Sequence, residues 1–183
     1  MKLVVGLGNP GLGHELTRHN FGWIVLDRLV VEKGLKWVMV ARFGALVARD
    51  GDVLYVKPTK FYNLTGEVVS SIVRFYKVDT KSDLLVVCDD FNLPFGVVKT
   101  RDHGGDGGNN GLKSILAVLG SDFARVRLGT DNEKRSLMGD TDFVLGRFSR
   151  SEWGRVPAII EDAARVIKDF LTGDFQNHKT MVK

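Results

Sequence analysis

Two residues of this chain have the chemistry of a general base and of the carboxylate that orients it. His19 follows a polar, glycine-rich stretch, and Asp89 ends an apolar run typical of a buried strand. A carboxylate hydrogen-bonded to one imidazole nitrogen fixes the tautomer and leaves the other nitrogen able to take a proton from water near neutral pH. If the strands before His19 and Asp89 are parallel neighbours, the two side chains lie close together. Both are candidate catalytic residues; a surface histidine and a solvated carboxylate are the alternatives.

Three asparagines add amide groups to the same candidate site. Asn9, Asn63 and Asn110 lie beside glycines or turns at the starts of three separate connections. Each amide both donates and accepts, which suits binding of a peptide backbone or an ester carbonyl, or stabilisation of a developing oxyanion. Each one alone is equally typical of a turn or a helix cap. Together with the histidine and the carboxylate, they predict a small polar site that needs no metal and no serine or cysteine nucleophile.

The glycines that surround Asn9 have the spacing of a dinucleotide-binding turn. Gly6, Gly8 and Gly11 form G-x-G-x-x-G after an apolar strand. That function requires a helix that begins inside the motif and an acidic residue at the end of the next strand. Residues 12–18 lack a sustained helical period, and the acidic residues that follow fall within a predicted helix. We therefore interpret the glycines as a tight turn that presents Asn9.

Cys88 is the alternative nucleophile, because it precedes the candidate carboxylate directly. It lies inside an apolar strand, and neighbouring negative charge raises the pKa of a thiol rather than activating it. We expect Cys88 to belong to the core.

Basic residues concentrate in the second half of the chain. They are Lys99, Arg101, Lys113, Arg125, Arg127, Lys134 and Arg135. Arg125 and Arg127 alternate along a predicted strand, so both point to one face, where they could meet phosphates. A solvated surface explains such charges equally well.

Composition limits the class of protein. The 183 residues carry 26 Lys and Arg against 22 Asp and Glu, a net charge of +4 that mildly favours a polyanionic partner. One cysteine excludes an intramolecular disulfide, and four scattered histidines lack the spacing of metal ligands, so we expect no metal. The N-terminal pattern predicts neither a signal peptide nor a membrane span, and we expect a cytoplasmic protein.

The apolar patterns predict one α/β domain over residues 1–183. Strands are predicted at 2–7, 37–43, 45–48, 53–56, 83–90, 97–100, 123–128 and 143–145, and helices at 20–33, 68–76, 112–119 and 156–170. Residues 102–111 are predicted to form a mobile glycine-rich loop, and residues 130–142 a polar loop. Buried strands alternate with helices while 45–56 read as an antiparallel hairpin, so the sheet should be twisted and mixed, with helices flanking it.

Seven motifs in order give the chain a resemblance to bacterial-type peptidyl-tRNA hydrolases over nearly its whole length. They are VGLGNPG at 5–11, TRHN at 17–20, PTKFYNLTG at 58–66, DDFNLP at 89–94, GGNNGLK at 107–113, RVRLG at 125–129 and FVLG at 143–146. The family fold is an α/β domain with a twisted mixed sheet between helices. Its members cleave the ester bond that joins a peptide to the terminal ribose of tRNA.

The resemblance implies a role for each candidate residue. His19 matches the general base and Asp89 its partner; Asn9, Tyr62, Asn63 and Asn110 match the positions that bind the peptide and the 3′ end; Arg101, Lys113 and Arg127 match basic positions that contact acceptor-stem phosphates. The resemblance also implies no cofactor, no membrane contact and a monomer whose partner is peptidyl-tRNA. The alternative is a non-catalytic RNA-binding or RNA-processing protein on the same fold.

The chain departs from the usual family pattern in residues 130–136, where a glycine-rich stretch is usual, and at four single positions. Tyr62 stands where Met is commonest, Cys88 replaces a frequent His, Asn92 replaces a frequent Asp, and Asn109 stands where His is usual. None of these changes removes His19 or Asp89.

Overall fold

The centre of the structure is a mixed sheet of eight strands whose four middle members run parallel. In chain order the strands are β1 (Lys2–Gly6), β2 (Val38–Val40), β3 (Ala45–Asp50), β4 (Val53–Pro58), β5 (Leu84–Pro94), β6 (Val97–Arg101), β7 (Ala124–Asp131) and β8 (Lys179–Met181). They lie in the order β2-β3-β4-β1-β5-β7-β6-β8 in a computed structural model that describes residues 1–182. The carboxyl ends of β4, β1, β5 and β7 meet at one edge, where such sheets keep their sites.

Helices cover both faces of the sheet. Within residues 1–182 they are α1 (Phe21–Glu32), α2 (Thr65–Tyr76), α3 (Thr80–Asp83), α4 (Asn110–Leu119), α5 (Arg135–Met138), α6 (Asp140–Leu145) and α7 (Arg150–Thr172). The core on one face lies under α1 and α7, and the core on the other lies under α2 and α4. Two 3₁₀ turns, Arg18–Asn20 and Tyr62–Leu64, lead directly into α1 and α2. Among the helices of the described residues, none has both the length and the apolar character of a membrane span.

Strand β1 is buried on both faces, as its unbroken apolar run predicts. Val4 packs into the core under α1 and α7, whereas Leu3 and Val5 pack into the core under α2 and α4. Both neighbouring strands run parallel to it, and Gly6 lies opposite Val87 of β5. The loop that follows β1 therefore emerges beside the end of β5.

Most of the predicted architecture is confirmed. The sheet is mixed, and β3 and β4 form the predicted antiparallel hairpin, with Ala45 opposite Pro58. The last helix ends before Gly173, whose φ of 91° suits glycine at a helix terminus.

Two predictions in the second half of the chain are wrong. Residues 143–145 form the end of helix α6 rather than a strand, because Phe143 and Val144 bury their side chains from one helical turn. Residues 130–142 are not one polar loop, since β7 extends to Asp131 and α5 lies within the segment. Three apolar residues in a row do not distinguish a strand from a helical turn. Strand β8 was not predicted, because it has only three residues, two of them polar, and so shows no apolar pattern typical of a strand.

The packing of α1 against the sheet gives a stability prediction. A Cβ atom on Gly22 would lie 2.3 Å from the carbonyl oxygen of Val87 and 2.6 Å from the amide nitrogen of Leu7. Backbone atoms cannot swing aside, so we expect Gly22→Ala to lower the free energy of unfolding by roughly 2–3 kcal/mol in urea titrations. Gly154→Ala is the matched control, because nothing lies within 4 Å of a Cβ there. In that exposed part of α7, alanine should stabilise the helix by roughly 0.5–1 kcal/mol. Equal stabilities of the two variants would contradict this account of the packing.

Candidate active site

The structure brings His19 and Asp89 together at the carboxyl edge of the sheet. His19 lies in the 3₁₀ turn before α1, and Asp89 lies in β5. The Nδ1 atom of His19 is 3.0 Å from both carboxylate oxygens of Asp89. Asp89 is fully buried, and the His19 side chain is 12% exposed. Assigning the proton to Nδ1 as the donor to the carboxylate leaves the Nε2 lone pair available to a ligand.

A buried ion pair holds the turn that carries His19. Arg18 contacts Glu152 of α7 at 2.8 Å and donates to the carbonyl oxygen of Arg147 at 2.8 Å. The guanidinium also lies 4.5 Å from the ring centroid of Phe143 in α6. These contacts connect the turn to the C-terminal half of the chain, so the direction of His19 depends on α6 and α7.

Asn9 is fixed by three hydrogen bonds, one of which decides which of its side-chain atoms is free. Its backbone N–H donates to Oδ1 of Asn20 at 2.8 Å, and Nδ2 of Asn20 donates back to the Asn9 carbonyl at 3.0 Å. The Asn9 Oδ1 atom accepts the backbone N–H of Tyr62 at 2.9 Å. Since this oxygen already has a donor, Nδ2 of Asn9 is the group that can donate to a ligand.

Tyr62 and Asn109 complete the surroundings of the carboxylate. The Tyr62 hydroxyl donates to Oδ1 of Asp89 at 2.7 Å, and its ring stacks on His19 with centroids 3.5 Å apart. Asn109 donates from Nδ2 to the Tyr62 hydroxyl at 2.9 Å and to the Asp89 carbonyl at 3.1 Å. Sequence reasoning missed this position of Asn109 next to Asp89. The available signal was an asparagine three residues before the helix predicted at 112–119, because asparagine is a preferred N-cap; the observed helix begins at Asn110.

A cavity of about 460 Å³ lies in front of this cluster. Its wall includes His19 and the four predicted substrate-binding residues, which are Asn9, Tyr62, Asn63 and Asn110. The remaining wall is largely apolar and consists of Phe61, Phe91, Gly108, Asp140, Thr141, Val144 and Leu145. Amide groups beside an apolar wall suit a ligand with both a peptide backbone and side chains.

The three predicted phosphate contacts lie outside the cavity. Lys113 is exposed on α4, one turn after Asn110, and Arg101 is half-buried at the end of β6. Arg127 is mostly buried and forms an ion pair with Asp90 at 2.9 Å, so its charge already has a partner.

Arg125 does not meet the expectation of a residue available to phosphates. It is 1% exposed, and its guanidinium donates to four backbone carbonyls. They belong to Gly104, Gly105, Ser121 and Phe123. The alternation with Arg127 on one face of β7 is correct, but the glycine-rich loop covers that part of the face.

Cys88 lies in the core, as predicted. Its side chain is fully buried under α2 and α4. Burial raises the pKa of the thiol, outweighing the opposing charge of Arg127, and the charges of Asp89 and Asp90 raise it further. The thiol therefore stays protonated and is no nucleophile.

A histidine–carboxylate pair that faces an amide-lined cavity at the edge of an α/β sheet is an arrangement typical of hydrolases. A family model described as "Peptidyl-tRNA hydrolase" matches residues 3–183. A peptidyl-tRNA hydrolase from Sulfurovum sp. is 38% identical over 98% of this chain and 94% of its own length. A peptidyl-tRNA hydrolase from Bacillus cytotoxicus is 39% identical over 96% of this chain and 95% of its own length. The chain belongs to the peptidyl-tRNA hydrolase family.

Solved structures agree with this assignment. The crystal structure of peptidyl-tRNA hydrolase from Acinetobacter baumannii superposes with a TM-score of 0.85 at 28% sequence identity, covering 94% of this chain and 89% of that one. The predicted family resemblance and fold class are therefore confirmed.

The buried pair of Arg18 and Glu152 gives a pH-dependent prediction. Burial alone raises the pKa of Glu152, but hydrogen bonds from Ser149 and Arg18 outweigh it and hold the pKa below 4.5. A carboxyl group with a lowered pKa contributes stability above its unfolded value, and this is lost as the pH falls through the folded value. Glu152→Gln keeps a side chain able to cap α7 but removes the charge.

We expect Glu152→Gln to lower the free energy of unfolding by roughly 1–3 kcal/mol at pH 7. The difference from wild type should shrink as the pH falls from the ordinary pKa of glutamate through the lowered pKa of folded Glu152, because the wild-type charge is lost there. Urea titrations between pH 3 and pH 7 measure the difference. A difference in the free energy of unfolding that stays constant between pH 3 and pH 7 would contradict the proposed role of the charge.

Proposed function

We propose that the protein hydrolyses the ester bond between peptide and tRNA in peptidyl-tRNA with a water molecule activated by His19. One observation carries the proposal: Nδ1 of His19 lies 3.0 Å from Asp89, at the wall of an amide-lined cavity, in a chain of the peptidyl-tRNA hydrolase family. Asp89 orients the imidazole and stabilises its protonated form. The amides of Asn9, Asn63 and Asn110 hold the peptide and the 3′ end of the tRNA.

Each proton in the proposed reaction has an assigned place. Nε2 of His19 takes a proton from water, and the resulting hydroxide attacks the ester carbonyl carbon. The Nδ2 group of Asn9 donates to the carbonyl oxygen as negative charge develops on it. The tetrahedral intermediate then expels the ribose oxygen, which takes the proton back from Nε2. Asp89 remains a carboxylate throughout, and the sequence of steps requires no metal and no cofactor.

His19→Ala tests the assignment of the base. We expect kcat for release of the blocked amino acid from N-acetyl-aminoacyl-tRNA to fall by roughly 10²–10⁴-fold, with little change in tRNA affinity. His103→Ala is the matched control, because His103 is exposed and, within residues 1–182, pairs only with Asp102. Wild-type turnover by His19→Ala would overturn the assignment.

The same assay separates hydrolysis from the alternative of non-catalytic RNA binding. Wild-type protein that binds N-acetyl-aminoacyl-tRNA tightly but releases no blocked amino acid would refute the enzyme proposal. The position of His19 beside Asp89 favours hydrolysis, since RNA binding alone has no use for an oriented base.

A row of cations beside the site supports contact with the tRNA backbone. Lys99 of β6 lies directly opposite Arg127 of β7 and Lys179 of β8, so the three side chains share one face of the sheet. Arg101, two residues after Lys99, points to the same face. Burial, followed by the charges of Arg101 and Arg127, lowers the pKa of Lys99. A polyanion would relieve this repulsion, so we assign the acceptor stem to this face.

Arg101→Ala tests the phosphate contact. We expect weaker tRNA binding. The magnitude of the slope of log affinity against log salt concentration should fall by about one, because a complex with one phosphate contact fewer releases fewer counterions. Arg28→Ala is the control, since Arg28 lies on α1 at the opposite face and pairs with Glu32. Identical salt slopes for Arg101→Ala and wild type would remove Arg101 from the interface.

We also propose that residues 1–183 form one domain and that the protein acts as a monomer in the cytoplasm. The single continuous sheet supports the first point, and the substrate, a product of translation, supports the location.

A further inference from the structure

The oxygen atom Oδ1 of Asp89 accepts hydrogen bonds from three different segments of the chain. His19 Nδ1 approaches it at 3.0 Å, the Tyr62 hydroxyl at 2.7 Å and Asn109 Nδ2 at 3.2 Å. Oδ2, the second oxygen, receives only His19 among the hydrogen bonds of the described residues. The carboxylate is thus held by Tyr62 and Asn109 on the side where both meet, and the His19 ring bridges its two oxygens.

We propose that Tyr62, braced by Asn109, is a positioning residue that sets both the orientation of the His19 ring and the strength with which Asp89 holds it. This inference rests on the proposed function of His19 as the base. In this role Tyr62 acts on the reaction through its contacts with His19 and Asp89, in addition to lining the cavity.

The Tyr62 ring fixes the plane of the imidazole. The two rings stack at 3.5 Å with an angle of 15° between their planes. Rotation of the His19 ring out of this plane would break the stack and also pull Nδ1 away from Asp89. Nε2 is therefore held in one direction, toward the cavity that His19 lines.

The Tyr62 hydroxyl controls the carboxylate. A donor to a carboxylate oxygen stabilises its charge and makes it a weaker acceptor for the imidazolium proton. Burial, followed by the charge of Asp89, holds the pKa of Tyr62 well above its ordinary value, so the hydroxyl stays protonated and donates. Without this donor, Asp89 would hold the protonated imidazole more firmly.

Asn109 connects this arrangement to the substrate side of the cavity. Its Oδ1 accepts the backbone N–H of Leu112 at 2.9 Å and caps α4, while Nδ2 donates to Tyr62 and Asp89. Asn110, the next residue, lines the cavity. The same amide therefore fixes the start of α4 relative to the base.

Several elements near His19 carry charged or titratable groups, and Arg18, its neighbour in the 3₁₀ turn, is paired with Glu152. β5 contributes Cys88, Asp89 and Asp90, with Asp90 paired to Arg127 of β7. The 3₁₀ turn before α2 contributes Tyr62, and across the cavity α6 contributes Asp140, which pairs with Arg135. Asp90 and Asp140 both have cationic partners, so the Tyr62 hydroxyl and the Asn109 amide are the uncharged donors whose removal acts on Asp89 directly.

The test is Tyr62→Phe, which keeps the stacked ring and deletes the hydroxyl. With N-acetyl-aminoacyl-tRNA as substrate, we expect kcat to fall roughly tenfold at pH 7 while KM stays within roughly twofold. The acid limb of the kcat/KM profile should move to higher pH by roughly half to one unit, because His19 then keeps its proton longer. Without substrate, the midpoint of the His19 Cε1–H titration followed by NMR should move in the same direction, with His19→Ala assigning the signal.

Two further variants keep the test decisive. Tyr76→Phe deletes a hydroxyl on the outer part of α2 and should leave the profile and the titration unchanged. Asn109→Ser retains a capping oxygen for α4 but loses the amide donor, so it should shift the His19 titration upward even if Tyr62→Phe does not fold.

An unshifted titration in a folded Tyr62→Phe or Asn109→Ser variant would overturn the proposal. A raised KM at unchanged kcat would also overturn it, by making Tyr62 a substrate contact. A shifted titration in a protein whose wild type releases no amino acid would support the positioning role and refute only the hydrolase proposal.

Discussion

The buried charge of Asp89 is the constraint around which the carboxyl edge of the sheet is built. A fully buried carboxylate is costly unless donors surround it. No single segment supplies these donors, since His19, Tyr62 and Asn109 come from three separate connections. The loops after β1 and β4 and the start of α4 must therefore all reach their final positions before the charge is compensated. The carboxylate that pairs with His19 is therefore also the group that holds the three segments together.

Close backbone contacts make this assembly possible. Gly22 lets α1 lie against the carbonyl of Val87, two residues before the carboxylate, and Gly66 lets α2 approach the backbone of Ser114 in α4. In each case a Cβ atom would clash with a backbone oxygen, at 2.3 Å from that of Val87 and 2.1 Å from that of Ser114, and would force the two elements apart. The amide and hydroxyl contacts around the carboxylate therefore depend on glycines that have no chemistry of their own.

The sequence predicted the elements that have regularly spaced apolar residues and missed the short elements that lack such a pattern. The buried strands and the long amphipathic α7 carry many apolar residues at regular spacing, so their type was clear. The segment between β7 and α7 has short apolar runs separated by polar residues, and there α5 and α6 were misread. Ser149 and Glu152 form a capping box that marks the true start of α7, a signal that the apolar period alone passed over.

The candidate site was predictable as a set of residues but not as a network. Residue chemistry and strand order selected His19, Asp89 and the asparagines, because a base, a carboxylate and amides have few other uses together. The contacts of Tyr62 depend on side-chain directions that no spacing specifies. Two of the four positions that depart from the usual family pattern, Tyr62 and Asn109, are joined by a hydrogen bond of 2.9 Å, and both contact Asp89.

Arg125 has a further consequence for the glycine-rich loop beside the site. Its guanidinium binds four carbonyl oxygens from the two connections that flank α4, much as a structural cation is coordinated by backbone oxygens. Because the ligands are main-chain atoms, this charge holds the loop without using any of the side chains of the loop. A lysine could not replace it, since one ammonium lacks the fork that reaches four acceptors. The chain thus carries, covalently attached, the equivalent of a bound ion.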